Sequence, residues 1–226
     1  MTKVTLSLDD GTTVSGQLDV PAAPRAIFVF AHGAGAGMAH PFMTAFASNL
    51  AALAIATLRY QFPYMERGSK RPDTPKVAHA AVRAAVARAQ VELPDVPIFA
   101  GGKSFGGRMT SQAQADAALP GVSGLVFVGF PLHPAGKPAT DRADHLARVH
   151  VPILFLSGTR DELAQLHLLE PVVRSLGARA TLSLYDEADH SFHVPAKSGR
   201  NDAQVRQQMA DDTANWIAGV AGRKAS

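Results

Sequence analysis

One serine, one aspartate and one histidine of this chain each stand just past a short apolar run, where side chains could be gathered for nucleophilic chemistry. Gly102-Lys103-Ser104-Phe105-Gly106 follows the run Pro97 to Gly101 and opens the alanine-rich helical pattern Ser104 to Ala118. Strand, sharp turn and helix are the setting in which a G-x-S-x-G serine is held in strained backbone with its hydroxyl exposed. Such a hydroxyl is a poor nucleophile near neutral pH, so it needs an imidazole as base and a carboxylate to orient that imidazole. Asp161 follows Ile153 to Ser157 through Gly158-Thr159-Arg160, and His190 follows Thr181 to Tyr185 through Asp186-Glu187-Ala188-Asp189. Asp161 lies 57 residues beyond Ser104 and His190 29 beyond Asp161, room for two strand–helix units and then one. Other roles remain open at this level. Asp161 is also a good helix N-cap, with Asp189 and Asp186 as substitute acids; His193 is the substitute for His190.

A tetrahedral intermediate places negative charge on the former carbonyl oxygen, and one donor toward it is worth roughly 3 to 4 kcal/mol. The expected donors are the backbone N–H of Phe105 and, from the loop His32-Gly33-Ala34-Gly35-Ala36-Gly37 after the run Ala26 to Ala31, that of Ala34. The same glycines could cradle a phosphate. However, no clean G-x-G-x-x-G spacing is present, and the next run ends in Arg59-Tyr60 rather than an acidic ribose ligand, so no cofactor is expected. His32 reads as structural. With no cysteine in the chain there is no thiolate nucleophile, disulfide or cysteine metal site, and no metal is expected.

These residues need a scaffold that lines up strand ends. Val4 to Leu8 and Thr12 to Val20 alternate in period two around Asp9-Asp10-Gly11, which predicts an antiparallel N-terminal hairpin. Thereafter Ala26 to Ala31, Ala54 to Tyr60, Pro97 to Gly101, Leu125 to Phe130, Ile153 to Ser157 and Thr181 to Tyr185 are short apolar runs, most of them separated by helical segments. Helical segments are expected at Phe42 to Leu53, Val77 to Val91, Ser104 to Ala118, Asp161 to Leu176 and Asp202 to Val220. That alternation predicts an α/β fold with a mostly parallel, doubly wound sheet whose ligands bind at the carboxyl ends of the strands. At 226 residues the chain is expected to form one domain, residues 1–226. Phe130 to Asp141, rich in proline, could form a partial lid, while the spacing around it leaves no room for a large cap.

The order Ser, Asp, His resembles the α/β-hydrolase superfamily, and within it the dienelactone-hydrolase-like enzymes. More narrowly, the chain is similar to a family that includes a testis-expressed hydrolase-like protein and the hydrolase-like domain of a non-specific-lethal chromatin complex subunit. That similarity rests on His32-Gly33-Ala34-Gly35-Ala36-Gly37-Met38, Phe62-Pro63-Tyr64-Met65, Gly102 to Arg108, Pro131-Leu132-His133-Pro134, Gly158-Thr159-Arg160-Asp161 and Asp189-His190-Ser191. The resemblance implies a Ser104, Asp161, His190 triad. It leaves the substrate undefined, since members of that family also serve as scaffolds.

The expected activity is therefore hydrolysis of a small ester, thioester or lactone through an acyl-enzyme. The alternatives are a catalytically idle protein-binding module and a peptidase. Lys103, Arg59 and Arg160 could form a cationic rim for carboxylate-bearing substrates or could be solvated surface; Tyr64 and Met65 could line the pocket or pack in the core. A net charge of +3 with scattered Lys and Arg gives no nucleic-acid footprint, and no apolar run is long enough to span a membrane. The expected partner is a small-molecule substrate and the expected location the cytoplasm. Nothing in the sequence defines an oligomeric state.

Overall fold

A strand with apolar residues on both faces must be covered on both sides. In the computed structural model, which describes residues 1–225, β3 (Ala26–Ala31) is buried at every position. Ile27, Val29 and Ala31 enter one core, while Ala26, Phe28 and Phe30 enter another on the opposite face. β6 (Val122–Val128) and β7 (Ile153–Gly158) split in the same way, Phe127 and Phe155 to the first core, Val126 and Leu154 to the second. Truncating one such buried phenylalanine to alanine typically costs about 3–5 kcal/mol.

Eight strands form one sheet in the order β1-β2-β4-β3-β5-β6-β7-β8. β1 (Thr2–Ser7) and β2 (Thr13–Asp19) form the antiparallel hairpin, its turn closed by Gly11 at φ 81° and by the Thr12 N–H donating to Asp10 Oδ1. β2 joins β4 (Ile55–Tyr60) antiparallel, and β3, β4, β5 (Ile98–Lys103), β6, β7 and β8 (Ala180–Tyr185) run parallel. α3 (Pro75–Glu92) and α4 (Phe105–Asp116) cover one face, and α1 (Pro41–Ala52) and α6 (Asp202–Ala225) the other. α5 (Leu166–Ser175) packs on β8, and a single short turn, α2 (Pro63–Glu66), follows β4. Among the described residues no helix is long and apolar enough to cross a membrane.

The chain leaves β3 through α1 toward β4 on one side, then returns through α3 to β5 on the other. Strand order therefore reverses at β3, and the carboxyl ends of β3 and β5 open onto the crevice where such sheets bind ligands. His32 and Ser104 stand at those two ends.

The expected elements are present with shifted bounds. One five-residue shift is at Asp161 to Leu176, where the helix begins only at Leu166: Asp161 spends Oδ1 on the N–H of Leu163 in a local turn that competes with helix. The expected strand Leu125 to Phe130 starts earlier, at Val122, and ends at Val128 before Gly129 at φ 68°. Asp141–Arg148, unassigned from the sequence, forms a 3₁₀ segment against α4. Phe130 to Asp141 does not stand off as a lid. Phe130, Pro131 and Leu132 are buried, and the Leu132 N–H donates to the Leu163 carbonyl.

Candidate active site

Ser104 sits between β5 and α4 with φ 50° and ψ −113°, a left-handed conformation that costs a non-glycine residue about 1–3 kcal/mol. Its N–H donates to Val128 O at 3.0 Å, which fastens the turn to β6. Two neighbours make the bend possible. A Cβ on Gly102 or on Gly106 would lie 2.5 Å from the Ala31 carbonyl oxygen, so only glycine lets strand, turn and helix close around the serine.

The acid and histidine loops are laced to each other before they reach the serine. Thr159 N–H donates to Tyr185 O and Arg160 N–H to Ala188 O, which holds the end of β7 against the end of β8. From this base His190 Nδ1 lies 2.8 Å from Asp161 Oδ2, and His190 Nε2 lies 2.9 Å from Ser104 Oγ. A carboxylate only accepts, so Nδ1 carries the hydrogen and Nε2 presents its lone pair to the serine hydroxyl. The Asp161 side chain is fully shielded, while that of His190 is 23% exposed, as a group that must meet substrate should be. The substitutes are committed elsewhere. Asp189 Oδ1 accepts the N–H groups of Ser191 and His193 within its own loop, Asp186 accepts from Thr159 Oγ1, and His193 pairs with Asp202.

Lys103 is at the site in a role the sequence did not announce. Its Nζ donates to the His190 carbonyl at 2.5 Å and lies 5.3 Å from the centre of the Phe192 ring, so it tethers the histidine loop to the end of β5. Burial lowers its pKa to about 8, partly offset by Asp161 and Asp189.

The glycine loop after β3 is held from beneath by His32. Its Nδ1–H donates to Gly33 O at 2.7 Å, and its Nε2 accepts the Phe62 N–H at 3.1 Å. Burial lowers its pKa to about 4, so this imidazole is neutral. Tyr64 is buried, its hydroxyl accepting the Gly35 N–H at 3.0 Å, and Gln61 Oε1 accepts the Met38 N–H. Tyr64 is thus a loop support rather than a pocket wall, and Met65 packs against the core beside Gly37. Among the described residues the N–H of Ala34 makes no hydrogen bond, and that of Phe105, first residue of α4, has no partner within the helix.

One of the three expected rim cations is not on a rim. Arg59 is 1% exposed and points to the α1 side of the sheet, where it donates to Asp19 Oδ2 at 2.8 Å, Thr44 Oγ1 at 2.9 Å and Met38 O at 3.0 Å. The reason is register: Arg59 shares a strand face with Ile55 and Thr57, beneath α1, not with the strand-end crevice. Arg160 is exposed, pairs with Glu187 and lines a hollow together with His190, as a rim residue would.

Two hollows flank Ser104. One of about 290 Å³ is lined by Ala34, Phe42, Met43, Leu163 and His190; the other, about 320 Å³, by Ala34, Phe105, Arg108, Met109 and Arg142. Among the described residues no cluster of three or more His, Asp and Glu side chains is placed to hold a metal ion.

Residues 24–218 match a family described as the alpha/beta hydrolase domain. The chain belongs to that family. Solved structures share the hydrolase fold across nearly the whole chain. A dienelactone hydrolase from Anabaena variabilis is 20% identical with a TM-score of 0.77, with 96% of each chain covered. An α/β serine hydrolase without lid from Xanthomonas campestris is 20% identical with a TM-score of 0.74, covering 95% of this chain and 94% of that one. The esterase domain of a Rhodothermus marinus protein is 15% identical with a TM-score of 0.72, covering 95% and 96%. Among the described residues of this alpha/beta hydrolase, as in the Xanthomonas protein, no lid is inserted over the strand ends.

Proposed function

We propose that the protein is a serine hydrolase acting on a small ester, thioester or lactone through an acyl-enzyme, without a cofactor. The observation that carries this reading is the unbroken line of hydrogen bonds from Asp161 through His190 to Ser104, at 2.8 and 2.9 Å. His190 Nε2 takes the hydroxyl proton as Ser104 Oγ attacks the carbonyl, and Asp161 holds the ring and stabilises the imidazolium. The N–H groups of Phe105 and Ala34 receive the oxyanion, each worth roughly 3 to 4 kcal/mol of barrier. His190 then protonates the leaving group, and a water deprotonated by the same nitrogen releases the acid and restores Ser104.

The ester and lactone class is favoured by the esterase and dienelactone hydrolase that share the fold, and small substrates by the lidless hollows of about 290 and 320 Å³. The narrower kinship with the testis-expressed hydrolase-like family rests on the glycine loop, the serine turn and the acid and histidine loops quoted above. Stopped-flow hydrolysis of p-nitrophenyl butyrate tests the reading: a burst stoichiometric with protein, absent from Ser104→Ala, is expected. Undiminished turnover by Ser104→Ala would overturn it.

A further inference from the structure

Arg108 lies one helical turn beyond Ser104 on α4, its N–H bonded to the Ser104 carbonyl at 3.2 Å, so both side chains rise on one side of the helix. Arg142 reaches the same hollow from the 3₁₀ segment Asp141–Arg148. Both are half-buried, and among the described residues neither guanidinium has an ion pair. Arg108 Nε is shut off from solvent with no hydrogen-bond partner. Two cations lining one small hollow repel, and burial together with Arg142 lowers the Arg108 pKa. Asp73 also lines the hollow, but its oxygens are taken by Arg67 and by the Tyr64 N–H, each at 2.7 Å; exposed Asp141 offsets the charge only in part. The pair lacks an anion between them.

Which half of the substrate carries that anion follows from the proton transfers. His190 lines the other hollow, and because it protonates the leaving group, the leaving group belongs on that side and the acyl group beside Arg108 and Arg142. Resting on the hydrolase reading above, we infer that Arg108 and Arg142 bind a carboxylate on the acyl portion of the substrate, so that the natural substrates are monoesters, monothioesters or lactones of dicarboxylic acids. Paired guanidiniums suit this because each offers a planar fork to a carboxylate.

The test compares p-nitrophenyl hydrogen adipate with p-nitrophenyl hexanoate, acyl chains of equal length that differ in the terminal carboxylate. The wild type should favour the adipate monoester in kcat/KM by about tenfold or more, and Arg108→Gln and Arg142→Gln should each cut that ratio about tenfold. Structural damage would lower both substrates together and leave the ratio intact. Hexanoate turnover with no preference for the adipate ester, or a ratio unmoved in both variants, would overturn the inference while leaving the hydrolase reading standing. If neither ester is turned over, it is the hydrolase reading that fails, and calorimetric titration with adipate decides the anion site. Binding to the wild type that is lost in Arg142→Gln supports the site, and no binding refutes it.

Discussion

Acid should loosen this protein through His32, the imidazole beneath the glycine loop. Its folded pKa is about 4 against 6.5 for the free side chain, and the largest cause is burial. A folded value below the unfolded one means that the folded state holds fewer protons. The stabilisation is therefore full above pH 6.5 and drains away as pH falls toward 4. From those two values the loss between about pH 7.5 and about pH 5 is about 2 kcal/mol, rising to about 3 kcal/mol below pH 4. Structurally, a proton on Nε2 turns the acceptor of the Phe62 N–H into a second donor, and the loop carrying Ala34 loses its floor. Urea unfolding of the wild type and His32→Gln at both pH values isolates the effect, because buried His145, also lowered to about 4, titrates in both proteins. The wild type should lose about 2 kcal/mol more than the variant on acidification. Equal losses would mean that His32 titrates as a solvated imidazole, and the buried-acceptor explanation of the loop would be wrong.

Asp161→Asn keeps the Oδ1 acceptor for Leu163 but allows the wrong His190 tautomer; kcat for a p-nitrophenyl ester should fall about 10³–10⁴-fold with an unchanged melting curve. Gly106→Ala drives a methyl to 2.5 Å from the Ala31 carbonyl oxygen, and calorimetry should find at least about 2 kcal/mol of lost stability. Arg59→Gln leaves Asp19 without its buried partner and should cost about 3 kcal/mol in urea unfolding. Because Arg59 lines neither hollow, KM for a carboxylate-bearing ester should stay within about twofold; a large KM rise would return it to the substrate site.

The strand ends at Ser104 and Asp161 were legible because inner strands of a parallel sheet, covered on both faces, are written as apolar runs; His190 instead follows the edge strand β8, whose Leu182 and Leu184 alternate with polar residues. The glycine spacing around Ser104 was equally readable, since close passage of backbone past Ala31 admits no side chain. Arg59 was misread because the residue before a strand end can face either way. The alternation Ile55, Thr57, Arg59 and the nearby Asp19 carried the signal that it lies under α1. Arg108 was available from helical spacing alone, four residues beyond Ser104. Arg142 was not: a 3₁₀ segment with no apolar periodicity brings it in, and only tertiary packing places it. The Lys103 tether was hidden for the same reason, because its acceptor is a backbone carbonyl 87 residues away.

Whether Ser104 is an activated nucleophile is decided by reaction with a fluorophosphonate and mapping of the adduct by peptide mass spectrometry. A single phosphonylated residue, Ser104, absent in Ser104→Ala and formed far more slowly in His190→Ala, is the expected result. Intact protein after prolonged exposure, or an adduct elsewhere with Ser104 untouched, would show that this hydrogen-bonded line does no chemistry.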